Sequence, residues 1–430
     1  MLKKSILLVT HVKFWLENRG DLARITSLYR FLKTRGFLVS VCFVGQLAER
    51  DQSIIRSKYQ NLEIFSLKKS CPTKKGYQKR VKSIQKMMTR KILQYYKPNW
   101  LLSYTEPKLQ DFRSEEYVEL FKQICRDVQP DYIFVESIRL AYLIKDARSI
   151  LPKHTITIID NMDVMHQRCR IFHEFGEKHW VNITEQEEAQ TLSLFDVVIA
   201  IQNKDGAMFK KMLPGKQVIT VYHATEIISH PINLEFPVRL AYIGTKSTHN
   251  RHAIESFLKT TWPMIHARFN DQVVLNIIGS VCHTINTSSL PDGANLLGFV
   301  ENLETVYRDT DIVINPAYFG GGLKIKNVEA LCNGKALVTT TVGSEGLEHG
   351  IDEAFIVCDT PDDAIKTLTL LIGNPSLRQA LSINALAFAR KNFSQEAAYK
   401  ELSQLLNGGM PENNQRGENH HVTPTGMIPG

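Results

Sequence analysis

No two of the seven cysteines (Cys42, Cys71, Cys125, Cys169, Cys282, Cys332 and Cys358) form a C-x-x-C pair, and their total is odd. Zinc ribbons and dithiol redox centres need closely spaced pairs, and a disulfide framework needs an even set. Both are excluded, and a reducing cytoplasm is the expected compartment. Nor does any apolar run approach the ~18–20 residues that a bilayer-spanning helix requires. The start, "MLKKSILLVTHVKFW", is basic and then briefly apolar, but charge returns at Lys13 and no small-residue cleavage site follows. A buried strand is expected there rather than a secretion signal.

Acidic residues are missing from one stretch. From Lys68 to Lys97 there are eleven Lys/Arg and no Asp or Glu, within a chain of net charge +8. Tyr77, Val81, Ile84, Met88, Ile92 and Tyr95 recur there at spacings of three and four, which predicts a basic amphipathic helix. Such a helix either packs its apolar stripe on the protein or attaches it peripherally to an anionic membrane surface, the inner face in this case. Helix-turn-helix, zinc-finger and aromatic RNA-binding patterns are absent, so no nucleic-acid partner is expected.

What is present is an ordinary folded composition, 43% hydrophobic and 22% charged, spread over 430 residues. That length exceeds one core, at ~100–200 residues per domain. Apolar, β-branched runs occur at Ser5–Thr10, Leu38–Val44, Tyr132–Glu136, Thr155–Asp160, Val197–Ile201 and Val218–Val221, with helical periodicity between them, as at Leu22, Ile25, Leu28 and Leu32. Continuous apolar strands alternating with amphipathic helices predict parallel sheets covered on both faces.

After "EIISHPINLEFPV" the rhythm restarts at Arg239–Ile243, Val273–Ile278, Asn295–Leu297, Ile312–Ile314, Ala336–Thr339 and Ala354–Val357. The expected fold class is therefore α/β, with two Rossmann-like lobes facing across a cleft. The expected division is a first lobe over 1–226 that binds acceptor, a second over 237–390 that binds nucleotide sugar, a helix over 391–406 packing back on the first, and a polar tail over 407–430. The tail's His420 and His421 are read as incidental.

The segment "FGGGLKIKNVEALCNGKALVTTTVGSEG" (Phe319 to Gly346) joins two predicted strands. A glycine turn at Gly320–Gly322 opens a helix through about Lys326–Cys332, and Gly334 stands where a C-terminal cap is expected. A helix start of this kind presents unpaired N–H groups and a positive dipole end, which suit phosphate. Lys324 and Lys326 add charge, and Glu329 is placed to accept hydrogen bonds from a ribose diol. The bland alternative is a tight crossover with solvated lysines.

This segment resembles the donor-binding stretch of the family 4 glycosyltransferases, whose two-lobed architecture is called the glycosyltransferase-B fold and whose glycine-rich branch reads GGG-x-R/K-x-K-x-x-E-A. "LAYIGTKSTHNRHAIESFLKTTWPMI" and "NLLGFVENLETVYRDTDIVINPA" are similar to further stretches of that family's second lobe. The resemblance implies a retaining, metal-independent hexosyl transfer with no cofactor beyond the donor, a UDP- or GDP-sugar, to a glycan or lipid-linked acceptor in polysaccharide or glycolipid synthesis. It assigns Glu329 to the ribose and Lys324 and Lys326 to the diphosphate. Backbone N–H groups of Gly321 and Gly322 take the place of a missing sugar-binding carboxylate, for the family's first glutamate falls on Gly321.

Gly20, Gly244, Lys246 and Gly320 complete the expected donor-site set; Gly20 belongs to a "GDLAR" turn after the first strand, Gly244 and Lys246 to the loop opening the second lobe. "DTD" at Asp309–Asp311 has the spacing of a divalent-metal pair, but Asp311 fits a turn better. In the first lobe, Met162 stands where the family often has a histidine, and His166 lies too far along. Glu136, Asp160, Asp163 and His11 follow strands and are candidates for the acceptor side. Two rival readings stay open at this point: a non-catalytic partner subunit of the same fold, and a nucleotide-sugar epimerase.

Overall fold

The computed structural model describes residues 3–16, 20–59, 61–67, 106–231, 233 and 235–408. The stretch 68–97 expected to form a basic helix lies outside the described residues, as does nearly all of the expected tail. Among the described residues, no helix is long and apolar enough to cross a membrane.

Thirteen strands are described, and they form two sheets. The first holds β1 (Ser5–Thr10), β2 (Leu38–Phe43), β3 (Glu63–Phe65), β4 (Tyr132–Glu136), β5 (Ile156–Asn161), β6 (Val197–Ala200) and β7 (Gln217–Thr220), in the order 3-2-1-4-5-6-7. The second holds β8 (Val238–Ile243), β9 (Val273–Ile278), β10 (Ala294–Gly298), β11 (Ile312–Asn315), β12 (Ala336–Thr339) and β13 (Ile356–Val357), in the order 10-9-8-11-12-13. All pairings between these strands are parallel, β1 against β2 from Ser5↔Leu38 to Thr10↔Phe43 and β8 against β9 from Val238↔Val273 to Ile243↔Ile278. The predicted α/β class is borne out. Strands buried on both faces, such as β4 and β11, are the ones that read as unbroken apolar runs.

The helix Gly20–Thr34 buries Leu22, Ile25, Leu28 and Leu32, the predicted stripe. Its bounds correct one expectation. Gly20–Arg24 is not a turn after the first strand but the opening of this helix, because the apolar phase already begins at Leu22.

Each sheet reverses its winding once, between β1 and β4 and between β8 and β11. The loops leaving those strands diverge, and a crevice opens at their carboxyl ends. The chain crosses between lobes twice. After β7 it runs along the second lobe, where the Ile228 N–H donates to the Cys332 carbonyl (2.9 Å). It returns after the helix Pro375–Asn392: Ala398, Tyr399, Leu402, Leu405 and Leu406 join the first lobe's core, and the Tyr399 hydroxyl donates to Ser27 Oγ (2.9 Å). Tyr222 and Phe393, one from each crossing, meet edge to face at 5.8 Å.

Candidate active site

A cavity of about 870 Å³ lies between the lobes and is lined from both. The first lobe contributes the ends of β1, β4 and β5, through His11, Glu136, Arg139 and Asp163; the second contributes the ends of β8, β9 and β11, through Gly244, Gly279 and Asn315. Both winding reversals therefore face one space.

The glycine turn and its helix form one wall. The helix spans Ile325–Cys332 with Lys324 as its N-cap, and Gly334 follows with φ +61°, the expected left-handed stop. Among the described residues, no backbone N–H from Gly320 to Lys326 donates a hydrogen bond within the chain. Lys326 Nζ donates to Asn250 Oδ1 (2.9 Å) and sits 4.6 Å from the Tyr242 ring centroid. Burial, and secondarily Lys324, push its pKa down to about 7. Lys324 Nζ donates to the Gly322 carbonyl (2.6 Å) and stands 3.6 Å from the Glu345 carboxylate. Its pKa too is lowered by burial, against the opposing pull of Glu345 and Asp163. Glu329 accepts from the Tyr307 hydroxyl (3.2 Å), and burial raises its pKa to about 7. Unpaired amides, two ammonium groups and a carboxylate thus share one face of the cleft, an arrangement able to hold a diphosphate joined to a polyol.

Gly20, Gly244, Lys246, Gly320, Gly321, Lys324, Lys326 and Glu329 all line the cavity. Gly322 does not. It has φ +74°, and a Cβ there would overlap the Asp163 carboxylate of the opposite lobe. What the structure shows for it is close approach between lobes. Gly321 keeps a cavity position, facing the Arg168 side chain. Gly244 gives its N–H to the Ile278 carbonyl (2.9 Å) and packs closely over Tyr242 at the cavity edge. Gly20 abuts the second lobe, where a Cβ added to it would meet the Ile325 side chain at 3.0 Å.

Replacing Gly322 with alanine forces an L-residue into the left-handed region, at a cost of ~1–2 kcal/mol, and drives its methyl into Asp163. The expected result is a melting temperature lower by several degrees and turnover lower by about tenfold or more. Calorimetry and nucleotide release measure the two. Unchanged melting would remove the interlobe role of this glycine.

On the first-lobe wall, Glu136 accepts from Thr10 Oγ1 (2.9 Å) and lies 3.5 Å from His11 Nδ1. Asp163 is ion-paired with Arg168. Asp160, expected to face the cleft, instead takes a two-point ion pair from Arg24 (2.9 and 2.7 Å), both residues buried. His166 is held by Glu188 at 2.7 Å and is not part of the lining. Asp311 accepts from the Arg239 N–H (2.7 Å) and faces its guanidinium at 3.6 Å, while Asp309 pairs with Arg308 (3.2 Å), so the "DTD" carboxylates serve the turn. A different cluster, Glu106, Cys169 and His173, brings three metal-capable atoms within 4.8 Å of one another, and it too lies off the cavity lining.

Sequence reasoning missed several contributors. Asn327 is fully buried: Asn315 Nδ2 donates to its Oδ1 (3.0 Å), and its Nδ2 donates to the Gly343 carbonyl (2.8 Å), locking the helix to β11 and to the loop after β12. His249, which lines the cavity, is kept neutral, burial pushing its pKa down to about 3. Arg139 and Arg168 also line it. Asn327 lies within the glycine- and lysine-rich segment but carries no charge to mark it; His249, Arg139 and Arg168 lie outside it, in the helix or turn that follows a strand.

Comparison with known proteins bears on this geometry. Residues 237–374 match the model of the glycosyl transferases group 1 family. That span holds the glycine turn, both lysines and Glu329. Two curated relatives align over part of the chain: an uncharacterized 44.6 kDa protein of the cps region of Klebsiella pneumoniae (25% identity over 164 residues, 36% of this chain and 42% of that protein) and an uncharacterized glycosyltransferase of Methanocaldococcus jannaschii (28% over 108 residues, 25% and 28%). The chain thus spans less than half the length of either. Solved structures match nearly throughout. They include sucrose-phosphate synthase of Thermosynechococcus elongatus (TM-score 0.66, 13% identity, 94% and 98% of the two chains) and HepE of Anabaena with UDP and glucose (0.63, 12%, 94% and 99%). A mutant S. aureus TarM bound to fondaparinux, alpha-GlcNAc-glycerol and UDP also matches (0.67, 10%, 94% and 100%). The two lobes have the glycosyltransferase-B fold.

Proposed function

We propose that the chain is a glycosyltransferase that moves a sugar from a nucleoside diphosphate sugar, UDP- or GDP-linked, to a hydroxyl acceptor bound in the interlobe cleft, with retention of anomeric configuration. The carrying observation is the row of unpaired amides from Gly320 to Lys326, all but that of Gly322 belonging to residues that line the cavity, beside the side chains of Lys324, Lys326 and Glu329. The family match over 237–374 and neighbours crystallised with UDP support the same reading.

In glycosyl transfer the anomeric carbon gains positive character as the diphosphate departs. Stabilising that departing charge is where a protein acts most strongly, through preorganised donors and cations. The helix-start amides and Lys324 supply fixed donors. Lys326, poised near neutrality while the site is empty, takes a full charge once a diphosphate lies beside it. Glu329, with Tyr307 holding one oxygen, offers the remainder of its carboxyl to the ribose diol. A glycan or lipid-linked acceptor then occupies the first-lobe half.

Calorimetric titration with UDP and GDP tests the donor half. Glu329→Ala is expected to weaken the preferred nucleotide about tenfold or more, the scale of a lost hydrogen bond to a charged group, and nucleosides lacking the ribose diol should not feel the change. Equal affinity in wild type and variant would overturn the ribose assignment. Release of free nucleotide from a donor, measured with and without acceptor, separates transfer from a non-catalytic role.

A further inference from the structure

We propose that Arg139 forms an anion-binding subsite in the first-lobe half of the cleft and selects acceptors carrying a carboxylate or phosphate group. This rests on the cleft being a transferase site and goes further, to the chemical class of the acceptor. Arg139 sits in the short turn Ile138–Leu140 directly after β4, at the winding reversal of the first sheet. Its guanidinium lies over an aromatic pair, 4.5 Å from the Phe112 centroid and 4.7 Å from that of Trp180, the two rings being 5.7 Å apart. Arg139 and Trp180 both line the cavity, with Ser137 and His11 beside them.

Among the described residues, nothing takes the hydrogen bonds of the Arg139 guanidinium. Its Nε is buried without a partner, and no ion pair or hydrogen bond engages the group among the described residues. The neighbouring carboxylate, Glu136, accepts from Thr10 and lies 3.5 Å from His11; its charge favours the Arg139 cation without forming an ion pair with it. Of the other cations on the cavity, Lys324 is engaged by Gly322 and Glu345, Lys326 by Asn250 and Arg168 by Asp163, while Lys246 is exposed on the second-lobe side. Burial works against the Arg139 charge and lowers its pKa. A half-buried guanidinium without an acceptor is unfavourable unless something arrives to satisfy it. The planar fork matches carboxylate and phosphate oxygens two at a time, and the adjacent aromatic pair favours a cation held against it. The donor's diphosphate belongs to the second-lobe wall, where the amides and lysines are, which leaves this group for the acceptor.

The test holds UDP at saturation so that the lysine wall is filled, then compares charged and neutral twins by ligand-observed NMR: glucuronate against glucose, and glycerol 1-phosphate against glycerol. On wild type at least one anionic member is expected to bind about tenfold or more tightly than its twin, the scale of a charge-assisted pair. The glucuronate and phosphate arms tell a sugar acid from a phosphate-bearing acceptor. Arg139→Met should abolish the preference, and Arg139→Gln does the same if the methionine variant fails to fold. Arg139→Lys should retain part of it, since a point charge persists without the fork. UDP affinity should move by less than about twofold in each. Twins that bind equally, or a preference surviving both neutral substitutions, overturn the proposal. Loss of UDP binding by wild type would instead strike the donor reading, and the twin comparison would still judge Arg139.

Discussion

Lys326→Ala is expected to lower kcat/KM by about a hundred- to a thousandfold, the usual consequence of deleting one preorganised group that meets transition-state charge. The prediction follows from where the ammonium is kept. Tyr242 and Asn250 fix Nζ, and the amides at the helix start lie a few residues away in the same wall. The ground-state diphosphate is already charged, so donor affinity should fall less than kcat does, and the two must be measured apart. Folding is checked on the same variant, because removing this lysine relieves a charge that burial disfavours but also strips Asn250 of a donor and leaves a gap beside Tyr242. Lys326→Arg is not expected to restore activity, because the guanidinium is larger and flatter than the notch between the ring and the amide. A loss under about threefold would place the departing charge elsewhere.

Donor binding should exchange protons with solvent, and the direction should reverse near pH 7. In the empty site both Lys326 and Glu329 titrate at about 7. A bound diphosphate favours the ammonium, and ribose hydroxyls favour the carboxylate. Above pH 7 the lysine starts neutral and the glutamate already ionised, so binding takes up a proton and affinity declines toward about tenfold per pH unit. Below pH 7 the lysine starts charged and the glutamate protonated, so binding releases one. Calorimetry of a nucleotide sugar in buffers of different ionisation enthalpy reads the sign directly; its diphosphate diester does not itself titrate in this range. Proton uptake should vanish in Lys326→Ala and release in Glu329→Ala. Binding with no proton exchange at pH 8 would separate Lys326 from the diphosphate.

The architecture was legible because it follows from periodicity. β1, β4, β9 and β12 begin and end at the expected residues, since each is a largely apolar run, interrupted in β9 by Asn276. β3 escaped notice: Glu63–Phe65 is a three-residue edge strand, too short to show an alternation. The glycine turn was legible because its composition is local. What sequence could not supply was partnership across the lobes. Asp160, near the end of β5, and Asp163, just after it, look alike in a string, yet one is locked to Arg24 in the interior while the other meets Arg168 in the cleft. Gly321 and Gly322 are neighbours too and both face the first lobe, but a side chain at Gly321 would meet Arg168 at ordinary contact distance while one at Gly322 would overlap Asp163. The deciding contacts, Arg24 with Asp160 and Gly322 with Asp163, join residues far apart in the chain.

The edge-to-face meeting of Tyr222 and Phe393 gathers both covalent connections at one spot. Any opening of the jaws must then swing about that pivot, with small displacement beside it and growing displacement away from it. Substrate entry and product exit would be timed by how freely two ring systems roll over each other, far from any group that touches the sugar. A scissile bond introduced into either connection would still leave the halves tethered by the other.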